Sequence, residues 1–203
     1  MKFDTLLVDI ADGIATITLN RPNKKNAMNP ALHRDMTSAL DQLRYEAEAR
    51  VLMITGAGDA FCGGMDLKEF FTDLKDKPAE YDRVFRMATE WRGRTLRYYP
   101  KPTIAVVNGF CFGGAFSIVE GCDLAIAAEE ATFGLSEINF KLFPGGCVSK
   151  SLANLMRPRE SDSENQADPV GTNASQSSID SDAFAGDDLL IAQKCDNRTR
   201  EDQ

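Results

Sequence analysis

Histidine is nearly absent from this chain: His33 is the only one in 203 residues. That excludes metal centres built on several imidazoles, and any Ser-His-Asp relay would have to use His33. No apolar run approaches the ~20 residues that a membrane-spanning helix needs, and Met1-Lys2-Phe3-Asp4 carries no apolar signal-peptide core. No membrane partner is expected. Lys and Arg number 23 against 31 Asp and Glu. Nothing therefore neutralises phosphates in bulk, which argues against a nucleic-acid partner. The five cysteines (Cys62, Cys111, Cys122, Cys147 and Cys195) form no C-x-x-C pair, so reduced thiols in a cytoplasm are expected. Neither GxxxxGK[ST] nor GxGxxG is present to cradle a nucleotide phosphate.

What is present is a run of short apolar segments divided by helical patterns. Residues 6–10 and 14–19 read as strands joined through Ala11-Asp12-Gly13, a hairpin signal. Asn29-Pro30 supplies an N-cap and a first-turn proline, and Leu32, Met36, Leu40 and Leu43 follow at helical spacing. Apolar strands are predicted at 51–55, 103–107 and 123–127. Helices are predicted near 66–75, 79–97, 113–121 and 148–156. Uninterrupted apolar strands alternating with helices imply a parallel sheet and an α/β class.

The charge is unevenly divided. Residues 161–203 hold ten acidic and three basic residues, leaving only −1 of the net −8 for residues 1–160. The last segment is rich in Ser, Asp, Asn and Gln, without periodicity, and is too poor in large apolar residues to offset the entropy of ordering. Two parts are expected: a folded core over 1–160 and an acidic, disordered tail over 161–203.

Two glycine-bearing turns each follow an apolar strand. They are Gly56-Ala57-Gly58-Asp59-Ala60-Phe61-Cys62-Gly63-Gly64-Met65-Asp66-Leu67 and Asn108-Gly109-Phe110-Cys111-Phe112-Gly113-Gly114-Ala115-Phe116-Ser117. A strand that enters a helix through glycines presents unpaired backbone N–H groups, and two such turns facing each other would aim two donors at one oxygen. The plainer reading is that the glycines allow tight strand-to-helix turns. Both readings stand at this point.

With Leu19-Asn20-Arg21-Pro22 to Asn26-Ala27 upstream and Ala131-Thr132-Phe133-Gly134-Leu135-Ser136-Glu137-Ile138-Asn139 downstream, these turns resemble the crotonase, or enoyl-CoA hydratase/isomerase, superfamily. The resemblance covers roughly residues 3–158. It implies a ββα spiral core, a coenzyme A thioester as partner and a homo-trimer or hexamer. It also implies an oxyanion hole made by the N–H groups of Met65 and Gly114. Of the superfamily's two acid/base positions, the second falls on Glu137 and the first on Ser117, where hydratases carry a second glutamate. Ser117 with Glu137, and the string Gly64-Met65-Asp66-Leu67-Lys68-Glu69-Phe70-Phe71, resemble the hydroxycinnamoyl-CoA (feruloyl-CoA) hydratase-lyases.

That branch implies hydration and retro-aldol cleavage of a 4-hydroxycinnamoyl thioester to an aromatic aldehyde such as vanillin, and acetyl-CoA. A para-hydroxyl would activate the β-carbon, so that one carboxylate suffices. No metal or redox cofactor is called for; coenzyme A enters as part of the substrate. CoA and substrate contacts are expected at Lys24, Ala27, Gly64, Asp66, Leu67, Phe70, Gly113, Ser136 and Phe140. The alternatives are an enoyl-CoA hydratase or isomerase on aliphatic thioesters, or an inactive fragment of the family. The resemblance stops after Glu160, so the core is expected to be incomplete at its C-terminus, through truncation or a frameshift.

His33 is expected on the exposed side of its helix, and Glu120 at a polar surface position from which it would replace the missing first carboxylate only if turned inward. Cys62 and Cys111 are expected to pack as small residues. Lys25 is expected to meet CoA phosphates or to be a solvated loop charge.

Overall fold

The computed structural model describes residues 1–135. Strands β1 (Leu6–Ala11) and β2 (Ile14–Leu19) form the expected antiparallel hairpin, with Leu6 opposite Leu19 and Ala11 opposite Ile14. Asp12 and Gly13 both take positive φ, 54° and 86°, as a two-residue turn matched to strand twist requires. Helix α1 (Pro30–Tyr45) begins as the sequence predicts: the Asn29 side chain accepts the Leu32 N–H at 2.8 Å, and Pro30 fills the first turn, where no N–H is missed.

β3 (Val51–Gly56), β5 (Thr103–Val107) and β7 (Leu124–Ala127) extend the hairpin into a five-stranded sheet of order β1-β2-β3-β5-β7, parallel from β2 onward. A second, three-stranded parallel sheet is built from β4 (Ala60–Cys62), β6 (Phe110–Phe112) and β8 (Phe133–Gly134). The sequence reading contains no trace of it, because strands of two or three residues show no alternation. β3-β4, β5-β6 and β7-β8 thus repeat one motif, in which the first strand joins the large sheet and the second the small one. Helices follow the first two pairs: α2 (Pro78–Glu90) after β4, and α3 (Phe116–Gly121) after β6. This is the expected α/β class with ββα repeats.

The core lies between the large sheet and the helices. Ile17, Leu19, Leu52, Ile54, Ala105 and Val107 meet Leu32, Met36, Leu40, Trp91 and Phe116 there, all essentially buried. Phe70, Leu74, Val84 and Ala88 form a smaller cluster. His33 corrects the sequence reading, because it is fully buried on α1. Positions 33, 36 and 40 share one helical face, so His33 belongs to the Met36 and Leu40 stripe. The expected helix at 148–156 and the expected tail at 161–203 lie outside the described residues.

Candidate active site

Three segments converge at the C-terminal ends of β4 and β6: the loop 21–28, the turn 63–66 that leaves β4, and the turn 113–117 that leaves β6. Asn26, fully buried, ties the first to the entry of β4 by donating from Nδ2 to the Ala57 and Ala60 carbonyls at 2.9 and 2.7 Å. Met28 then pairs with Met65 as an isolated parallel bridge: Met28 N–H donates to Gly64 O at 2.7 Å and Asp66 N–H to Met28 O at 2.9 Å. Both bonds belong to the neighbours of Met65, so its own N–H is left free of that bridge and points the other way.

Gly64 makes the turn possible. Its φ is +88°, and a Cβ there would lie 2.9 Å from Phe112 O and 3.4 Å from Gly114 N. The backbones of the two glycine turns therefore touch, and only a residue without a side chain fits between them. A Cβ on Gly114 would in turn lie 3.4 Å from Met65 Cγ and 3.2 Å from Met28 Cε. The two residues expected to supply the paired donors are thus neighbours in space, although 49 positions apart in sequence. Gly114 is the second residue of the short 3-10 turn Gly113–Ala115 that opens α3, where a backbone N–H has no partner within its own helix.

Asp66 caps the π-helical turn Leu67–Thr72 by accepting the Glu69 N–H at 3.0 Å. Arg21 donates through Nη1 to Asp66 at 3.1 Å and to the Ala27 carbonyl, and through Nη2 to Glu69 at 2.7 Å. Burial pushes the Asp66 carboxyl up, and the Glu69 N–H together with Arg21 outweighs it, leaving the group below the usual carboxylate range. One guanidinium therefore locks the Ala27 loop to the turn that carries Met65.

Ser117 is buried; its hydroxyl donates to Gly114 O at 2.7 Å and accepts from Arg92 Nη1 at 3.1 Å. Arg92 is buried too, with further bonds from Nη1 to Gly114 O at 3.2 Å and from Nε to Ala88 O at 2.8 Å. Burial pulls its pKa down to about 10, which leaves it charged at neutral pH. An isolated buried charge costs several kcal/mol, and its bonds to neutral oxygens return roughly 1.5–3 kcal/mol each. Those bonds are what keep the charge in place. Sequence reasoning missed Arg92, because Trp91-Arg92-Gly93-Arg94 looks like the exposed end of an amphipathic helix.

The other expected residues distribute as follows. Gly113 is buried beside Gly114, Leu67 is 42% exposed and Lys24 lies exposed at the outer end of the loop 21–28. Phe70 is 1% exposed and packs edge-on against His33 at 5.7 Å between ring centroids. Lys25 pairs with Asp59 and lies over the Phe110 ring. Glu120 pairs with Arg97. Cys62 and Cys111 are buried, and burial pushes the Cys62 thiol up to about 11 and Cys111 higher than its ordinary value, so both are packing groups. Ser136, Glu137 and Phe140 lie outside the described residues. A groove of about 360 Å³ beside Arg34, Asp41 and Arg44 contains none of these residues. Among the described residues no group of three metal-ligating side chains occurs, and no helix is long and apolar enough to cross a membrane.

An arrangement of this kind, with two adjacent backbone donors and a polarised hydroxyl, suits stabilisation of a negative oxygen. The family described as Enoyl-CoA hydratase/isomerase matches residues 9–163. The chain is 50% identical over 161 residues to hydroxycinnamoyl-CoA hydratase-lyase of Pseudomonas fluorescens, covering 79% of this chain and 58% of that one. It is 37% identical over 144 residues to mevalonyl-coenzyme A hydratase of Aspergillus fumigatus, covering 71% and 51%. An enoyl-CoA hydratase structure from Shewanella pealeana superimposes with a TM-score of 0.69 at 28% identity, over 78% of this chain and 59% of that one. The chain thus spans a little over half the length of these relatives. With a family match across most of the chain and the ββα repeat seen in the fold, the chain belongs to the enoyl-CoA hydratase/isomerase family, the crotonases, whose enzymes act on coenzyme A thioesters.

Proposed function

We propose that this chain serves the hydration and retro-aldol cleavage of 4-hydroxycinnamoyl-CoA thioesters, feruloyl-CoA among them, to an aromatic aldehyde and acetyl-CoA. The observation that carries the reading is Ser117, a neutral hydroxyl bonded to the Gly114 carbonyl and to Arg92 at the position where a two-carboxylate hydratase would need a glutamate. The similarity to the Pseudomonas fluorescens hydratase-lyase supports the same substrate class.

In this reading the thioester oxygen accepts the N–H groups of Met65 and Gly114. Electron donation from the para-hydroxyl through a quinone-methide-like ring leaves the β-carbon electrophilic as the α-carbon takes a single proton, the one that water gives up. Glu137 removes a proton from water as its oxygen bonds to the β-carbon, and the α-carbon receives that proton. Glu137 then takes the β-hydroxyl proton, the Cα–Cβ bond breaks, and its electron pair passes into the thioester enolate. The aldehyde departs, and return of the proton to the α-carbon gives acetyl-CoA. Loss of one oxyanion donor would cost about 3 kcal/mol of barrier. No step requires a metal or a redox group, and the reaction is assigned to the cytoplasm.

The test is chromatographic detection of vanillin and acetyl-CoA from feruloyl-CoA, with Glu137→Gln as control. The variant is expected to bind the thioester as the wild type does and to lose about 10³-fold in aldehyde release. Near-normal turnover in Glu137→Gln would remove that residue from the chemistry. Faster hydration of crotonyl-CoA than cleavage of feruloyl-CoA would favour the aliphatic reading, and turnover of neither the inactive-fragment reading.

A further inference from the structure

Arg92 takes no part in the steps above, yet it touches the residues on which they depend. It is the second residue of the π-helical turn Trp91–Thr95 that continues α2, and such wide turns recur at functional sites. The turn directs the guanidinium onto α3, where Nη1 reaches both Gly114 O and Ser117 Oγ and would lie 3.1 Å from a Cβ on Gly114. None of the ion pairs among the described residues includes it. Its buried positive charge is therefore answered there by neutral oxygens alone, and in a site of low dielectric such a charge acts over several ångströms. Ser117 commits its proton to Gly114 O and one lone pair to Arg92, so a second lone pair is what it has left to offer a water or a substrate hydroxyl.

We propose that Arg92 is a positioning residue of the thioester site: it fixes Ser117 as an acceptor, holds the Gly114 peptide, and polarises the carbonyl bound at the Gly114 N–H. This rests on the thioester reading given above. Negative charge developing on the carbonyl oxygen is drawn towards the guanidinium, so the enolate gains more from Arg92 than the ground-state thioester does.

Cinnamoyl-CoA lacks the para-hydroxyl and separates binding from cleavage; the red shift of its absorption on binding reports carbonyl polarisation. The wild type is expected to bind it with a red shift. Arg92→Met is expected to bind within about threefold, to lose more than half of the shift, and to release aldehyde from feruloyl-CoA at least 30-fold more slowly, in kcat rather than KM. Arg92→Lys, which keeps the charge, is expected to retain most of the shift. Should Arg92→Met not fold, Arg92→Gln, which keeps a donor without charge, serves in its place with the same expectation. A full red shift in the folded neutral variant overturns this inference and leaves the lyase reading standing. A wild type that shifts no bound thioester overturns both.

Discussion

At the scale of single residues, the unusual feature is a buried imidazole set beside a buried guanidinium. His33 Nδ1 accepts the Trp91 indole N–H at 3.0 Å, so the neutral ring carries its proton on Nε2, which has no partner among the described residues. Burial first, and then the charges of Arg92 and Arg34, lower its pKa from 6.5 to about 3. The unfolded chain takes up a proton below pH 6.5 and the folded one does not, so stability is complete above 6.5 and falls as pH drops towards 3. The slope approaches about 1.4 kcal/mol per pH unit. Urea denaturation at pH 7 and pH 5 should show this loss in the wild type and a flatter dependence in His33→Phe. Equal slopes in the two proteins would show that His33 does not carry it. The sequence already held part of this information, since 33, 36 and 40 share a helical face. What hid it was residue type, because a polar side chain on an apolar face has no sequence signal that separates burial from solvation.

At the scale of elements, legibility depended on length. The hairpin, α1 with its Asn29 cap, and the apolar strands β3, β5 and β7 were all readable, because each carries several residues of periodicity or a local stop signal. The small sheet was not, and the helices read near 66–75 and at the end of 79–97 turned out to be wound as π turns around buried Phe70 and Trp91, a winding that no local residue pattern announced. Asn29 also donates from Nδ2 to Glu69 at 2.6 Å, so this cap ties α1 to the π-helical turn that follows Met65. Asn29→Ala should lower stability by about 1–2 kcal/mol in chemical denaturation; an unchanged midpoint would deny the cap that role. Gly64→Ala forces a left-handed φ on a residue with a side chain and drives its Cβ towards Phe112 O. The expected cost is about 1–3 kcal/mol in stability. Because Met65 is the next residue, aldehyde release should fall further than stability alone explains. A stable, fully active Gly64→Ala would show that this turn does not set the donor.

At the scale of the whole molecule, the candidate site is a product of topology. The paired-strand repeat brings the loop after β4 against the loop after β6, and so sets Gly64, Met65 and Gly114 together. Sequence reasoning proposed facing turns from the glycines, and only the resemblance chose Met65 and Gly114 among the N–H groups available. Arg92 lay beyond both, because its place is seen only when the π turn packs on α3 and carries its side chain inward. In the proposed reaction a neutral hydroxyl at Ser117 is sufficient because the substrate ring supplies the missing activation. The most direct test compares aldehyde release by this chain from 4-hydroxycinnamoyl-CoA and from cinnamoyl-CoA under identical conditions. Release is expected from the first and none from the second; comparable rates on both would contradict activation by the para-hydroxyl.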